Sequence, residues 1–186
     1  MSVAVQTLVN QSLLRENQSP ESGLHWFAVQ TRPRHEKKVA RELETKGIHS
    51  YLPVQSTPRR WSDRVQHIPL PLFPGYVFVR TRAAVQERVA VLQTNGITGY
   101  VGMRGQGIPI PDQQMQAIQT LMESGIPLDP YPFLQEGKRV RIRSGSLAGI
   151  EGVLVAKNED LSLVISVEII QRSLAVRISG FHVEPV

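Results

Sequence analysis

Short apolar runs alternate along this chain with amphipathic stretches and with clusters of proline and glycine. His25–Thr31 is aromatic and β-branched, which predicts a strand. Pro33 then fits the first turn of a helix. Glu36 lies near the start, where the helix dipole favours an anion, and Lys46 lies near the end, before a Gly47 stop. Val39, Ala40 and Leu43 make the apolar stripe, while Arg34, Lys37, Lys38 and Arg41 make a basic face. Ile48–Val54 returns to strand. Arg59, Arg60 and Arg64 surround Trp61 in a predicted basic hairpin. Leu70–Gly75 carries turn chemistry: Pro74 sets φ at the second position of a type II turn and Gly75 supplies positive φ at the third. Tyr76–Val79 is a strong strand, with Tyr76 and Phe78 on one face and Val77 and Val79 on the other. Val85–Leu92 reads as a short helix, Ile97–Val101 as a strand and Gly102–Gly107 as a glycine-rich loop. Pro111–Glu123 reads as a helix striped by Met115, Ile118, Leu121 and Met122.

Pro127, Pro130 and Pro132, with Gly125, mark residues 124–135 as a linker. Beyond it the period changes to two. Val140 and Ile142 alternate with Arg139, Arg141 and Arg143. Leu163, Ile165, Val167 and Ile169 form a second row, and Leu174, Val176 and Ile178 a third. Several short strands with close turns in about 50 residues predict a small barrel. At the other end, Met1–Gly23 is polar and weakly patterned. It reads as a flexible leader with a short helical turn around Thr7–Glu16 and no signal peptide. The division expected is therefore a leader over 1–24, a first domain over 25–123, a linker over 124–135 and a second domain over 136–186.

Charge sharpens this picture. The net charge of +5 is unevenly spread: residues 25–128 hold 13 Lys and Arg against 7 Asp and Glu, whereas residues 129–186 hold 7 against 7. A basic segment attracts phosphates through counterion release. The chain has no cysteine, which excludes disulfides, Cys-based zinc sites and Cys nucleophiles and fits a reducing cytoplasm. No apolar run approaches the ~18 residues of a membrane span. The five histidines show no i,i+4 metal spacing, no G-K-[ST] follows the glycine loop, and no G-x-S-x-G elbow occurs. The expectation is a binding protein without metal, cofactor or catalytic residues.

Two motif sets carry a resemblance. Trp26-Phe27-Ala28-Val29, the basic helix, Phe73-Pro74-Gly75-Tyr76-Val77-Phe78-Val79 and Gly96-Ile97-Thr98-Gly99-Tyr100-Val101-Gly102 resemble the N-terminal domain of the NusG family of transcription elongation factors. Gly137-x-x-Val140-Arg141-Ile142, Gly145–Val153 and Val167–Ser173 resemble its KOW domain. The likeness spans about residues 25–186 in the right order. The short Leu43–Pro53 stretch, Leu70–Pro74 and Pro130-Tyr131-Pro132 look more like the specialised RfaH and UpxY-type paralogues. The fold implied is α+β: an N-terminal antiparallel sheet with flanking helices, joined by a Pro-rich linker to an SH3-like KOW β-barrel.

The resemblance implies a non-enzymatic, monomeric cytoplasmic factor that sits on the clamp helices of RNA polymerase and touches upstream or non-template DNA. It suppresses pausing or termination by favouring one polymerase state. On this likeness Phe73, Tyr76 and Phe78 fall on the polymerase-binding pocket, with Gln30 and Ile118 as further lining positions. The competing reading makes Phe73 and Phe78 plain core. Gln93 and Thr94 fall where some relatives read non-template bases, and Arg59, Arg60 and Arg64 supply nucleic-acid contacts. Leu147 falls at the loop tip through which KOW domains meet a small-subunit ribosomal protein or the Rho factor. A KOW-containing ribosomal or RNA-binding structural protein is the alternative, and the lack of excess charge after residue 128 argues against it. For the second domain, the β-branched density of Leu163–Ile170 and Gly145, Gly149 and Gly152 disfavour a helical form. Strands there imply an open pocket at Phe73 in the free protein.

Overall fold

The computed structural model describes residues 23–60, 64–102, 105–134, 137–157, 160–178 and 181–186. The expected helical turn at Thr7–Glu16 and the side chain of Trp61 lie outside the described residues.

Strand β1 (Leu24–Thr31) runs through the middle of a four-stranded antiparallel sheet. Its neighbours are β5 (Tyr76–Arg82) and β6 (Ile97–Tyr100), and β2 (His49–Tyr51) lies outside β5. The two-residue period decides what each face buries. Phe27, Val29, Val77 and Val79 pack with Val39 and Leu43 of helix α1 (Glu36–Thr45) and with Val91 of helix α2 (Val85–Leu92). Trp26, Ala28 and Phe78 face the other way, with Met115, Ile118 and Leu121 of helix α3 (Asp112–Glu123). Of the helix stripe expected at Met115, Ile118, Leu121 and Met122, the first three are fully buried, as their 3–4 residue spacing requires, and Met122 is partly buried. Strands β3 (Val54–Arg60) and β4 (Val65–Pro71) form the basic hairpin, a separate two-stranded ladder with Arg60 opposite Val65 at its tip.

Pro33 does not enter the first helix. Arg34 has φ of 64°, in the left-handed region, so the helical path cannot begin before Glu36. The residues expected to serve as linker also contain regular structure. Leu128–Tyr131 is strand β7, which pairs with β11 (Arg172–Arg177). With β8 (Arg139–Ile142), β9 (Glu151–Lys157), β10 (Asp160–Val167) and β12 (Val183–Pro185) it completes a six-stranded antiparallel sheet, in the order β12-β8-β9-β10-β11-β7. Gly152 is required where β9 crosses close to β10, since a Cβ there would stand 2.5 Å from the Val164 carbonyl oxygen.

Alternation alone would leave one face of this second sheet to solvent. Instead β11 buries four consecutive residues, Ser173–Val176, and β10 buries Val164 as well as Leu163 and Ile165. Val164 and Ile165 line a cleft against α3. The two halves share one apolar cluster, which runs from Trp26, Phe73 and Phe78 through Ile118 and Leu128 to Val140, Leu163 and Val176.

Candidate functional site

The turn that presents the aromatic residues is fixed from two sides. Tyr76 N–H donates to the Phe73 carbonyl at 3.1 Å, and Gly75 sits at φ 84°, as the type II reading of Phe73–Tyr76 requires. Gly75 N–H donates to a carboxylate oxygen of the buried Glu36 at 2.8 Å, and the Gly75 carbonyl accepts from Thr31 N–H at 2.8 Å. A carboxylate at the first turn of α1 therefore also positions the turn. Sequence reasoning placed Glu36 only as a dipole partner.

The ladder brings the predicted pocket residues together. Gln30 stands opposite Tyr76, Ala28 opposite Phe78, and Tyr51 opposite Phe78 on the other side. Phe73 meets Phe78 edge to face, with ring centroids 5.6 Å apart and planes at 90°. Ile118 belongs to the same cluster, and Tyr76 packs against it half-buried. Gln30 is exposed. Phe73 is 2% exposed and Phe78 and Ile118 are 0%. The expectation of an open pocket is thus overturned: the second half is built of strands, yet the aromatic face is closed. The physical reason is that strand content and docking are separate properties, and the apolar face buries itself in the shared cluster. Trp26 and Tyr51 extend the same face, their rings 6.3 Å apart, and the period-two alternation of β1 would have found Trp26.

The nucleic-acid candidates are distributed differently. Arg60 and Arg64 are exposed at the hairpin tip, and Arg59 lies in the same ladder opposite Gln66. Gln93 is exposed at the end of α2, but Thr94 is 2% exposed. Its hydroxyl accepts from Lys46 Nζ at 2.9 Å and lies 3.4 Å from the Ala90 carbonyl. Asn95 N–H donates to Glu42 Oε1 at 3.1 Å, and Lys46 also pairs with Glu42 at 3.3 Å. The Glu42 carboxyl is held below its ordinary range, first by that Asn95 N–H and then by Lys46. Thr94 therefore anchors the loop to α1 and does not present its side chain to a ligand.

Leu147 is fully buried, turned inward by bonds from Ala148 N–H to the Gly145 carbonyl and from Gly149 N–H to the Ile142 carbonyl. It is not a surface residue in this conformation. Among the described residues no group of three or more His, Cys, Asp or Glu is placed to hold a metal, and no helix is long and apolar enough to cross a membrane.

Comparison with known proteins agrees with this architecture. The transcription termination factor NusG family model matches residues 24–119, the whole first sheet with α1, α2 and most of α3. The transcription termination/antitermination protein NusG of Lactococcus lactis subsp. lactis is 27% identical over 174 residues, covering 87% of this chain and 92% of the relative. That of Borreliella burgdorferi is 23% identical over 181 residues, covering 87% and 98%. A solved structure concerned with domain interaction in Thermotoga maritima NusG superposes with a TM-score of 0.51 at 22% identity, over 83% of this chain and 93% of that one, a likeness of fold. With a family match over more than half its length, and with the Phe73–Val79 turn and strand at the centre of that match, this chain belongs to the NusG family of transcription factors.

Proposed function

We propose that the protein is a non-enzymatic transcription elongation or antitermination factor. It binds the clamp helices of RNA polymerase through the face made by Phe73, Tyr76 and Phe78, with Gln30 and Ile118 beside them. The observation that carries this reading is that Phe73, Phe78 and Ile118 share one apolar cluster, with Tyr76 packed against it and Gln30 opposite Tyr76 in the ladder, in a member of the NusG family. An aromatic, mainly apolar face with a polar residue at its edge suits a helix tip laid into a groove. Arg59, Arg60 and Arg64 on the hairpin, with Gln93, face upstream or non-template DNA. Residues 136–186 act as a KOW domain that recruits a further protein, a small-subunit ribosomal protein or Rho, once Leu147 and its turn are released. The reading places the protein as a cytoplasmic monomer among the specialised RfaH- and UpxY-like paralogues, and 124–135, including β7, as the connection between its domains.

Because Phe73 and Phe78 are buried, polymerase binding requires the closed form to open, so the observed affinity is the intrinsic affinity reduced by the fraction open. Tyr76 is the clean probe, since it is only half-buried. Tyr76→Ala should weaken polymerase binding by about 2–4 kcal/mol as an aromatic hot spot, measured by titration against core polymerase with folding checked by circular dichroism. Unchanged affinity in the folded variant removes the pocket assignment.

A further inference from the structure

Among the described residues, the Gln55 side chain hydrogen-bonds the β3–β4 hairpin to the second sheet. Gln55 Nε2 donates to the Leu128 carbonyl at 3.0 Å, and Leu128 N–H donates to Gln55 Oε1 at 2.9 Å. A primary amide can present an N–H donor and a carbonyl acceptor side by side, in the spacing of a peptide group. Here it does for β7 what a neighbouring strand would do. β11 occupies the other edge of β7, with Leu128 opposite Val176, so the outer edge of the six-stranded sheet is capped by a residue of the first half. Leu128 is 2% exposed, and its backbone groups would lie buried without partners if Gln55 left. Gln55 sits at the hairpin base opposite Leu70. The hairpin is in turn tied to α1 by Lys37 Nζ, which donates to the Pro69 carbonyl at 2.7 Å.

The rest of the seam is less well made. A cleft of about 640 Å³ separates α3 from the second sheet, lined by polar groups that include Gln113, Gln116, Thr120, Arg139 and Ser166. Gln114 also lines this cleft, and its Oε1 is buried with no hydrogen-bond partner among the described residues. An unsatisfied acceptor favours separation. If the halves part, β7 keeps its four register pairs with β11 and loses the two bonds to Gln55, so the clasp is where the seam divides.

We propose that Gln55 is a positioning residue for the aromatic face. Its amide latches the second sheet closed and so sets how often Phe73 and Phe78 are exposed. The consequence for polymerase rests on the reading given under Proposed function, whereas the latch itself does not.

The full chain tests it. Because it has no cysteine, Glu44→Cys and Ser144→Cys, both exposed, take a donor and an acceptor dye on the two halves. Removing two hydrogen bonds should lower the closed-to-open ratio about tenfold, read as reduced energy transfer in Gln55→Ala, with faster amide exchange at Leu128. Gln55→Glu keeps the acceptor for Leu128 N–H and loses the donor, so it should also open the molecule. Gln114→Leu, which removes the orphan acceptor, should shift the balance the other way. Unchanged energy transfer in folded Gln55→Ala overturns the latch. So does faster Leu128 exchange with no change in dye distance, which would make Gln55 an edge cap only. If the dyes report opening and polymerase affinity does not rise, the latch stands and the aromatic-face reading fails.

Discussion

Tyr51 shows how burial changes a residue's chemistry at the edge of the aromatic face. It lies half-buried on β2 opposite Phe78, and its phenol is pushed up to about 12, first by burial and then by the Glu123 carboxylate. The folded state therefore holds this proton more tightly than the unfolded chain, whose tyrosines titrate near 10. The stabilisation is fully present below about pH 10 and is lost as pH rises through 12. Burial raises the Tyr100 phenol as well, so ultraviolet titration should show late-ionising tyrosines of which one component disappears in Tyr51→Phe, and the variant should lose less stability between pH 10 and 12. Thr94 teaches a different lesson. From sequence it matched a base-reading position, yet its hydroxyl is committed to Lys46. Nothing local in Gln93-Thr94-Asn95 signals that, because the partners are Glu42 on α1 and Lys46 at its C-terminal cap, about fifty residues earlier.

Among the elements, the hairpin was legible and its attachment was not. Three arginines around an aromatic residue, bounded by prolines, announce a basic projection, and the ladder from Val54–Pro71 to Arg60–Val65 supplies it. Reversing the charges of Arg60 and Arg64 should weaken retention on a DNA scaffold and reduce its salt slope by about the number of lost phosphate contacts. The measurement is retention against salt concentration. An unchanged slope would mean that these exposed side chains are only solvated. Helix α3 was equally legible, since Met115, Ile118 and Leu121 recur at helical spacing and are fully buried. Strand β7 was not, because Pro130 and the proline-rich surroundings read as linker. Proline is tolerated there because a single edge position can lack its N–H.

On the scale of the whole molecule, a fragment covering residues 25–128 lacks most of the second sheet, so its aromatic face has less to bury it. It should bind core polymerase more tightly than the full chain, by the inverse of the open fraction. Equal affinity would show that closure does not compete with polymerase. The sequence by itself determined the α+β class, the period-two and period-3.6 segments, the type II turn at Phe73–Tyr76, the basic hairpin and the one face shared by Tyr76 and Phe78. These follow from spacing within an element or from φ preferences, both local properties of the chain. Only the tertiary structure decided that Phe73 and Phe78 are closed off, that Val164 and Ser173 are buried on what alternation would leave as an outer face, and that Leu147 points inward. It also decided that Gln55 clasps Leu128, 73 positions away. Each of these depends on which surfaces meet, and one sequence can satisfy the same local pattern with its halves together or apart. The choice lies with the shared apolar cluster and a few long-range hydrogen bonds.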